Sequence, residues 1–265
     1  MRKLLLAALF LVVAVAPVRA DEVFLGDLQV VDQFPLDTPK TIGTAVLTPD
    51  YSNVTNFLGN GFVNAGSALQ GANRITRLVA DDITPTGAHA GMSVTQFVFS
   101  MANFNATAVT VRPRVRFWFT DGAGGAPGTY YNLPAAVGFS FNALTIGPGV
   151  TLVTGSLAPN LFAMPGVPFW AGITFDDNSG ATGITAAQLD LVGQGIFSPP
   201  TLGTSNDRFF ITQAAGSFFG LANPAGSLSN FNGNPPADFG WEFSVDVPVP
   251  TKDSSWGRVK AQYHN

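Results

Sequence analysis

The sequence predicts an all-β protein, an antiparallel β-sandwich or jelly-roll-like fold with one short helix. Three observations carry that expectation. Two-residue alternation runs from Val109 to Phe119 (VTVRPRVRFWF), placing Val109, Val111, Val115, Phe117 and Phe119 on one face and Thr110, Arg112, Arg114, Arg116 and Trp118 on the other. Short apolar runs are separated by turn clusters: DGAGGAPG at 121–128, IGPG at 146–149, DDNSG at 176–180 and NGNPPAD at 232–238. The 29 Gly, 19 Pro and 23 Phe favour many turns and strands over helices.

The chain begins with an export segment. Arg2 and Lys3 form a positive start, Leu4 to Ala16 is an unbroken apolar run of 13 residues, and Val18 and Ala20 suit the −3 and −1 positions of a cleavage site. Thirteen residues are too few for a membrane-spanning helix, which needs about 20. The expected mature chain starts near Asp21, is secreted or held at the cell surface, and has no membrane span. The expected organisation is a signal peptide at 1–20, a β-sandwich at 21–246, and a Pro-rich linker with a polar tail at 247–265.

Further strands are expected at Ile75 to Val79, Val94 to Ser100, Val137 to Phe141, Thr151 to Thr154, Phe169 to Phe175, Arg208 to Thr212 and Phe239 to Val245. Pro113 lacks an N–H for the ladder, so the strand carrying it should be an edge or bulged. The expected core contains Val111, Val115, Phe117, Phe119, Ile173, Phe175, Trp241 and Phe243. The spacing Thr185-Ala186-Ala187-Gln188 matches a capping box, predicting a helix through Val192 with Gly193 at C′.

Composition excludes several function classes. Loss of Arg2, Lys3 and Arg19 with the export segment leaves all 17 acidic residues, so the net charge moves from −4 to −7. Such a surface has no electrostatic footprint for nucleic acid. Charged residues make up 11% of the chain against about 25% in ordinary soluble proteins, so polarity rests on neutral side chains. There is no cysteine, which excludes disulfides and thiol chemistry. Two histidines, His89 and His264, are too few for a His-rich metal centre.

Four stretches, YSNVTNFLGNGFVNAGSALQGANRITRLVADDI at 51–83, SVTQFVFSMANFNATAVTVRPRVRFWFTDGAGGAPGTYY at 93–131, FWAGITFDDNSGATGITAAQLDLVGQGIF at 169–197 and FGWEF at 239–243, together resemble exported bacterial proteins with PEP-CTERM sorting signals. The resemblance implies location and a β-sandwich, and carries no catalytic residues. The tail departs from the pattern: VPVP at 247–250 lacks the Glu of VPEP, and no apolar segment follows it. Its WGRVKAQY is similar to a short soluble terminal tag of other secreted bacterial proteins.

Two constellations are candidate sites. Arg112, Arg114, Arg116 and Trp118 share a face, where guanidinium groups suit acidic polysaccharide and an indole suits sugar stacking. The alternative is a solvated outer face whose like charges discourage edge aggregation. Asp176, Asp177 and Asn178 offer oxygen ligands for Ca²⁺ in a Gly-terminated loop, against the alternative of an ordinary turn. Asp81 and Asp82 should point to opposite faces, with Arg74 or Arg77 neutralising one. Asn53 and Asn105 head glycosylation sequons. The expected function is a non-enzymatic exported bacterial surface or extracellular-matrix protein acting in adhesion, assembly or envelope structure, with extracellular polysaccharide or surface proteins as partners. A carbohydrate-binding module is the alternative. A sandwich-fold polysaccharide hydrolase, needing two carboxylates about 5–10 Å apart across a cleft, is a further one.

Overall fold

The computed structural model describes residues 22–36, 39–41, 48–131, 138–212 and 224–247. The expected export segment and the tail after 247 lie outside the described residues. The strands, in chain order, are β1 (Val23–Phe24), β2 (Gln29–Phe34), β3 (Lys40–Thr41), β4 (Thr48–Ser52), β5 (Asn56–Val63), β6 (Ala68–Gln70), β7 (Asn73–Ile75), β8 (Val79–Thr84) and β9 (Val94–Asn103). They continue with β10 (Val109–Phe119), β11 (Gly138–Ser140), β12 (Leu144–Ile146), β13 (Gly149–Ser156), β14 (Phe169–Asp176), β15 (Val192–Phe197), β16 (Thr204–Thr212), β17 (Gly226–Ser229) and β18 (Trp241–Val245).

Two sheets face each other. The first runs β1-β11-β10-β14-β8-β16-β17, with β12 also on β10 and the β6–β7 ribbon on β14. The second runs β2-β13-β9-β15-β5-β3, with β18 on β9 and β4 on β18. Pairing is antiparallel except between β1 and β11. This is the all-β sandwich that the alternation predicts.

The strand carrying Pro113 is not an edge, and its register against β14 is continuous. Both backbone polar groups of Phe175, which is opposite Pro113, are turned towards Thr76: Thr76 N–H donates to the Phe175 carbonyl (2.9 Å) and Phe175 N–H to the Thr76 hydroxyl (3.0 Å). Pro113 nitrogen therefore points to the other flank of β10. There the partner changes from β12, ending opposite Val111, to β11, starting opposite Arg114. The missing N–H falls in the gap between two partner strands, so no ladder bond is lost.

Between the sheets, Phe117 is the hub of an aromatic core. Its ring stacks on Phe162 at 4.8 Å and meets Phe97, Phe139, Phe169, Trp241 and Phe243 within 6.4 Å. Val111, Val115, Ile173, Phe175, Trp241 and Phe243 are buried with it, while Phe119 is half-buried against Tyr131. The outer faces are apolar as well. Phe34, Phe57, Val98, Val150, Leu152 and Phe197 cluster on the second sheet, and Leu78, Ala80, Trp118, Trp170 and Phe210 on the first.

The single α-helix among the described residues, α1 (Ala186–Leu189), starts with the expected capping box. Gln188 N–H donates to the Thr185 hydroxyl at 3.3 Å and Thr185 N–H to Gln188 Oε1 at 3.0 Å. It ends earlier than expected, at an Asp190 C-cap, and Gly193 is a strand residue opposite Val63. A Cβ on Gly193 would meet the Phe62 carbonyl at 1.9 Å, so close strand approach, and not a helix cap, calls for glycine here.

Truncating the hub should show how much the aromatic core carries. Phe117→Ala is expected to cost about 3–5 kcal/mol, measured as a lowered urea midpoint; a change within about 0.5 kcal/mol would place Phe117 outside the core.

Candidate functional site

The outer face of the first sheet holds the Arg-Trp constellation, and it is covered. Asp176 lies opposite Arg112 across the β10–β14 pair. Its carboxylate accepts from Arg112 Nε (2.7 Å) and Nη2 (2.9 Å) and pairs with Arg114 Nε (2.5 Å). Glu22, one residue before β1, accepts from Arg114 Nη1 at 3.0 Å and also from Arg116 Nη2. Arg116 is 1% exposed and Trp118 0%. Burial lowers the Arg116 pKa, and the Glu22 carboxylate opposes that shift. Trp118 stacks on Tyr130 at 5.7 Å, while Trp170 N–H donates to the Gly125 carbonyl at 2.9 Å, so the 120–131 loop is seated over this face. The expectation of an open guanidinium and indole platform is corrected: Trp118 offers no free ring face, and the arginines neutralise carboxylates of the same chain.

The same contacts correct the calcium reading. A cation at Asp176 would have to displace two guanidinium groups. Asp177 Oδ1 accepts from Arg74 N–H at 2.9 Å, and Asn178, Ser179 and Gly180 have φ of 49°, 55° and 83°. Three successive left-handed residues make a tight turn, which Asn and Gly tolerate. Among the described residues, no group of three or more His, Asp or Glu side chains is placed to hold a metal ion. Thermal unfolding in EDTA and in millimolar calcium is expected to coincide; a midpoint raised by calcium and lost in Asp176→Ala would restore the metal site.

Asp81 and Asp82 do point to opposite faces of β8, but neither Arg74 nor Arg77 serves them. Outward-facing Asp82 pairs with Arg208 Nε (2.5 Å), and Arg208 lies 5.3 Å from the Trp170 ring centre. Inward-facing Asp81 is fully buried and accepts from Phe239 N–H through Oδ2 at 2.9 Å. The Ser205 hydroxyl, at the β16 bulge, lies 3.0 Å from Asp81 Oδ1 and 3.3 Å from Asp82 Oδ1. One hydroxyl proton cannot serve two carboxylates. Burial, followed by the charges of Asp82 and Asp238, pushes the Asp81 carboxyl well above its ordinary range. In its protonated form Asp81 would donate to Ser205, leaving the Ser205 proton for Asp82. Tyr51 lies among these acids; burial and then Asp81 push its pKa up.

These acids anchor the loop between β17 and β18. Asp207 accepts N–H groups from Phe231 (3.2 Å), Gly233 and Ala237 (2.7 Å). Asp81 holds Phe239, and Asp238 accepts from the Ser198 hydroxyl at 2.9 Å. The pinned loop crosses the sandwich margin where β5 and β16 face each other. Between loop and sheet lies a cleft of about 320 Å³, lined by Asn60, Gly61, Phe62, Ile196, Phe231, Asn234 and Pro235. Phe62 and Phe231 form a tilted ring pair at 5.4 Å, each 4.9 Å from Phe209 beneath. Sequence reasoning passes over this site, because its residues come from three separated stretches with no motif; only the Asn- and Pro-rich NGNPPAD cluster hints at a built loop.

The two sequons are structural. Asn53 is fully buried and donates to the Phe197 (2.8 Å) and Phe239 (3.1 Å) carbonyls, while the Asn105 amide donates to Asn103 and to the Gln188 carbonyl. His89 Nδ1 lies 3.2 Å from Asp50 Oδ1, which also accepts from Thr86. Comparison of the chain with protein-family models, with curated proteins and with solved structures gives no match.

Buried acids set the pH response. The carboxyls of Asp81, Asp238 and Glu242 are all raised, chiefly by burial. Between the ordinary carboxylate value, about 4, and these raised values, the folded chain binds more protons than the unfolded chain, so stability falls as pH rises through the folded values. Melting temperature is expected to rise as the pH is lowered through the raised folded values towards the ordinary carboxylate range. Asp81→Asn, which keeps an acceptor for Phe239 and a donor for Ser205, should flatten the profile; an unchanged slope would remove Asp81 as its source.

Proposed function

We propose that this chain is an exported, non-enzymatic component of a bacterial surface or extracellular matrix, serving adhesion, assembly or envelope structure. The N-terminal segment, with its positive start, short apolar run and small-residue cleavage site, carries the assignment to the outside of the cell. The resemblance to PEP-CTERM-type exported proteins agrees with it. No described helix is long and apolar enough to cross a membrane.

The deployment of the acidic side chains supports a binding or structural role over hydrolysis. Asp176 clamps two arginines, Asp207 holds three backbone amides, and Asp81 holds Phe239. A two-carboxylate glycosidase needs its pair facing a substrate cleft. The cleft at the β5 margin is lined by amide, aromatic and aliphatic groups, with no carboxylate among its lining residues.

Export is tested by fractionating cells that express the full chain and sequencing the N-terminus of the product. The expected result is a chain starting near Asp21, outside the cytoplasmic membrane and released without detergent. Recovery of Met1 from the cytosol would overturn the proposal.

A further inference from the structure

The geometry points to the Phe62–Phe231 cleft as a binding site for one neutral sugar ring of an extracellular glycan, seated on the tilted aromatic pair with the Asn60 and Asn234 amides beside its hydroxyls. The inference deepens the exported reading and rests on it for the source of the glycan. It moves carbohydrate recognition away from the buried Arg-Trp face of the first sheet to the margin where β5 of the second sheet faces β16.

The lining chemistry selects the ligand. Phe62, Ile196, Phe231 and Pro235 supply apolar surface, and Asn60 and Asn234, both exposed, supply carboxamides. No ionisable side chain lines the cleft, so an anion or cation would give up hydration without a counter-charge. A pyranose presents an apolar C–H face, which packs on an aromatic ring, and an edge of adjacent hydroxyls. A carboxamide offers an acceptor and two donors together, suiting such hydroxyl pairs. Phe62 and Phe231 touch at 5.4 Å and are inclined at 48°, so the pair offers an angled apolar seat for one face of a sugar. A volume of about 320 Å³ lies at the low end of small-molecule sites, roughly 300–1,000 Å³. That admits one ring and leaves the rest of a glycan chain in solvent.

The site is also preformed. One side is the loop held by three hydrogen bonds that backbone N–H groups donate to Asp207. Asn232 and Gly233 have φ of 57° and 73°, a reversal that Asn and Gly permit, and Gly233 N–H donates to Asp207 there. The aromatic base is fixed by Phe209 and Phe239, packed on Phe62 at 4.9 and 6.3 Å. Little ordering is left for a ligand to impose, which favours even a small one.

The test is amide-resolved NMR of the purified mature chain titrated with cellobiose, maltose and N,N′-diacetylchitobiose, with N-acetyl-phenylalanine amide as a peptide-like probe. At least one saccharide should shift the resonances of 60–62, 196 and 231–234. Asn234→Ala, on the exposed rim, should weaken that saccharide about tenfold; Phe231→Ala should weaken it at least as much, provided its spectrum stays dispersed. The site is overturned if no saccharide shifts these residues, if the shifts map elsewhere, if Asn234→Ala binds unchanged, or if only the phenylalanine amide binds. None of those outcomes touches the location of the chain, which stands or falls on its N-terminus.

Discussion

A sheet covered on both faces has to satisfy the polar side chains at its outward strand positions as well as fill its inner face, and this requirement organises the molecule. In most sandwiches the outward positions face water. Here the outer faces carry apolar clusters around Trp118 and Trp170 on one sheet and around Phe57 and Phe197 on the other. A charged residue in such a layer must find its counter-charge within the chain. The three arginines of β10 do so with Asp176 and Glu22, and Asp82 does so with Arg208. Without cysteine, cohesion rests on three apolar layers and on the ion pairs that let charge remain between them.

The same requirement explains where the acids act. A carboxylate beside an irregular loop satisfies several of its backbone amides that have no ladder partner, and Asp207, in the β16 bulge, does this for three of them. Asp81 does it for Phe239 from inside the sandwich, where burial raises the pKa of its carboxyl. The loop between β17 and β18 is therefore shaped from beneath.

Local pattern was legible and long-range partnership was not. Alternation in Val109 to Phe119 assigned the inner face correctly, because a strand's period is a property of adjacent residues. The Thr185 capping box and the DDNSG turn are local in the same way. The same alternation said only that Arg112, Arg114, Arg116 and Trp118 share a face, and nothing about what covers it. Asp176 is 64 residues from Arg112, and Glu22 is 94 from Arg116. Pro113 shows the limit from the other side. A missing N–H implied an edge, yet two short strands sharing one flank leave a gap that no ladder bond has to fill. The cleft residues, at 60–62, 196 and 231–235, meet only because the topology sets β5 opposite β16.

Charge inside and neutrality at the cleft are two results of one arrangement. The acids nearest the loop are spent on its backbone, on Ser198 and Ser205, or on Arg208, and none of them lines the cleft. What remains along the margin is carboxamide, aromatic ring and proline. Such a surface has no means of attracting a charged ligand over distance, since steering needs net local charge. It recognises by contact, through an apolar face and hydrogen bonds placed beside it. Contact recognition needs a wall that does not yield, and the wall here is held by backbone N–H groups that donate to the Asp207 carboxylate, outside the lining of the cleft.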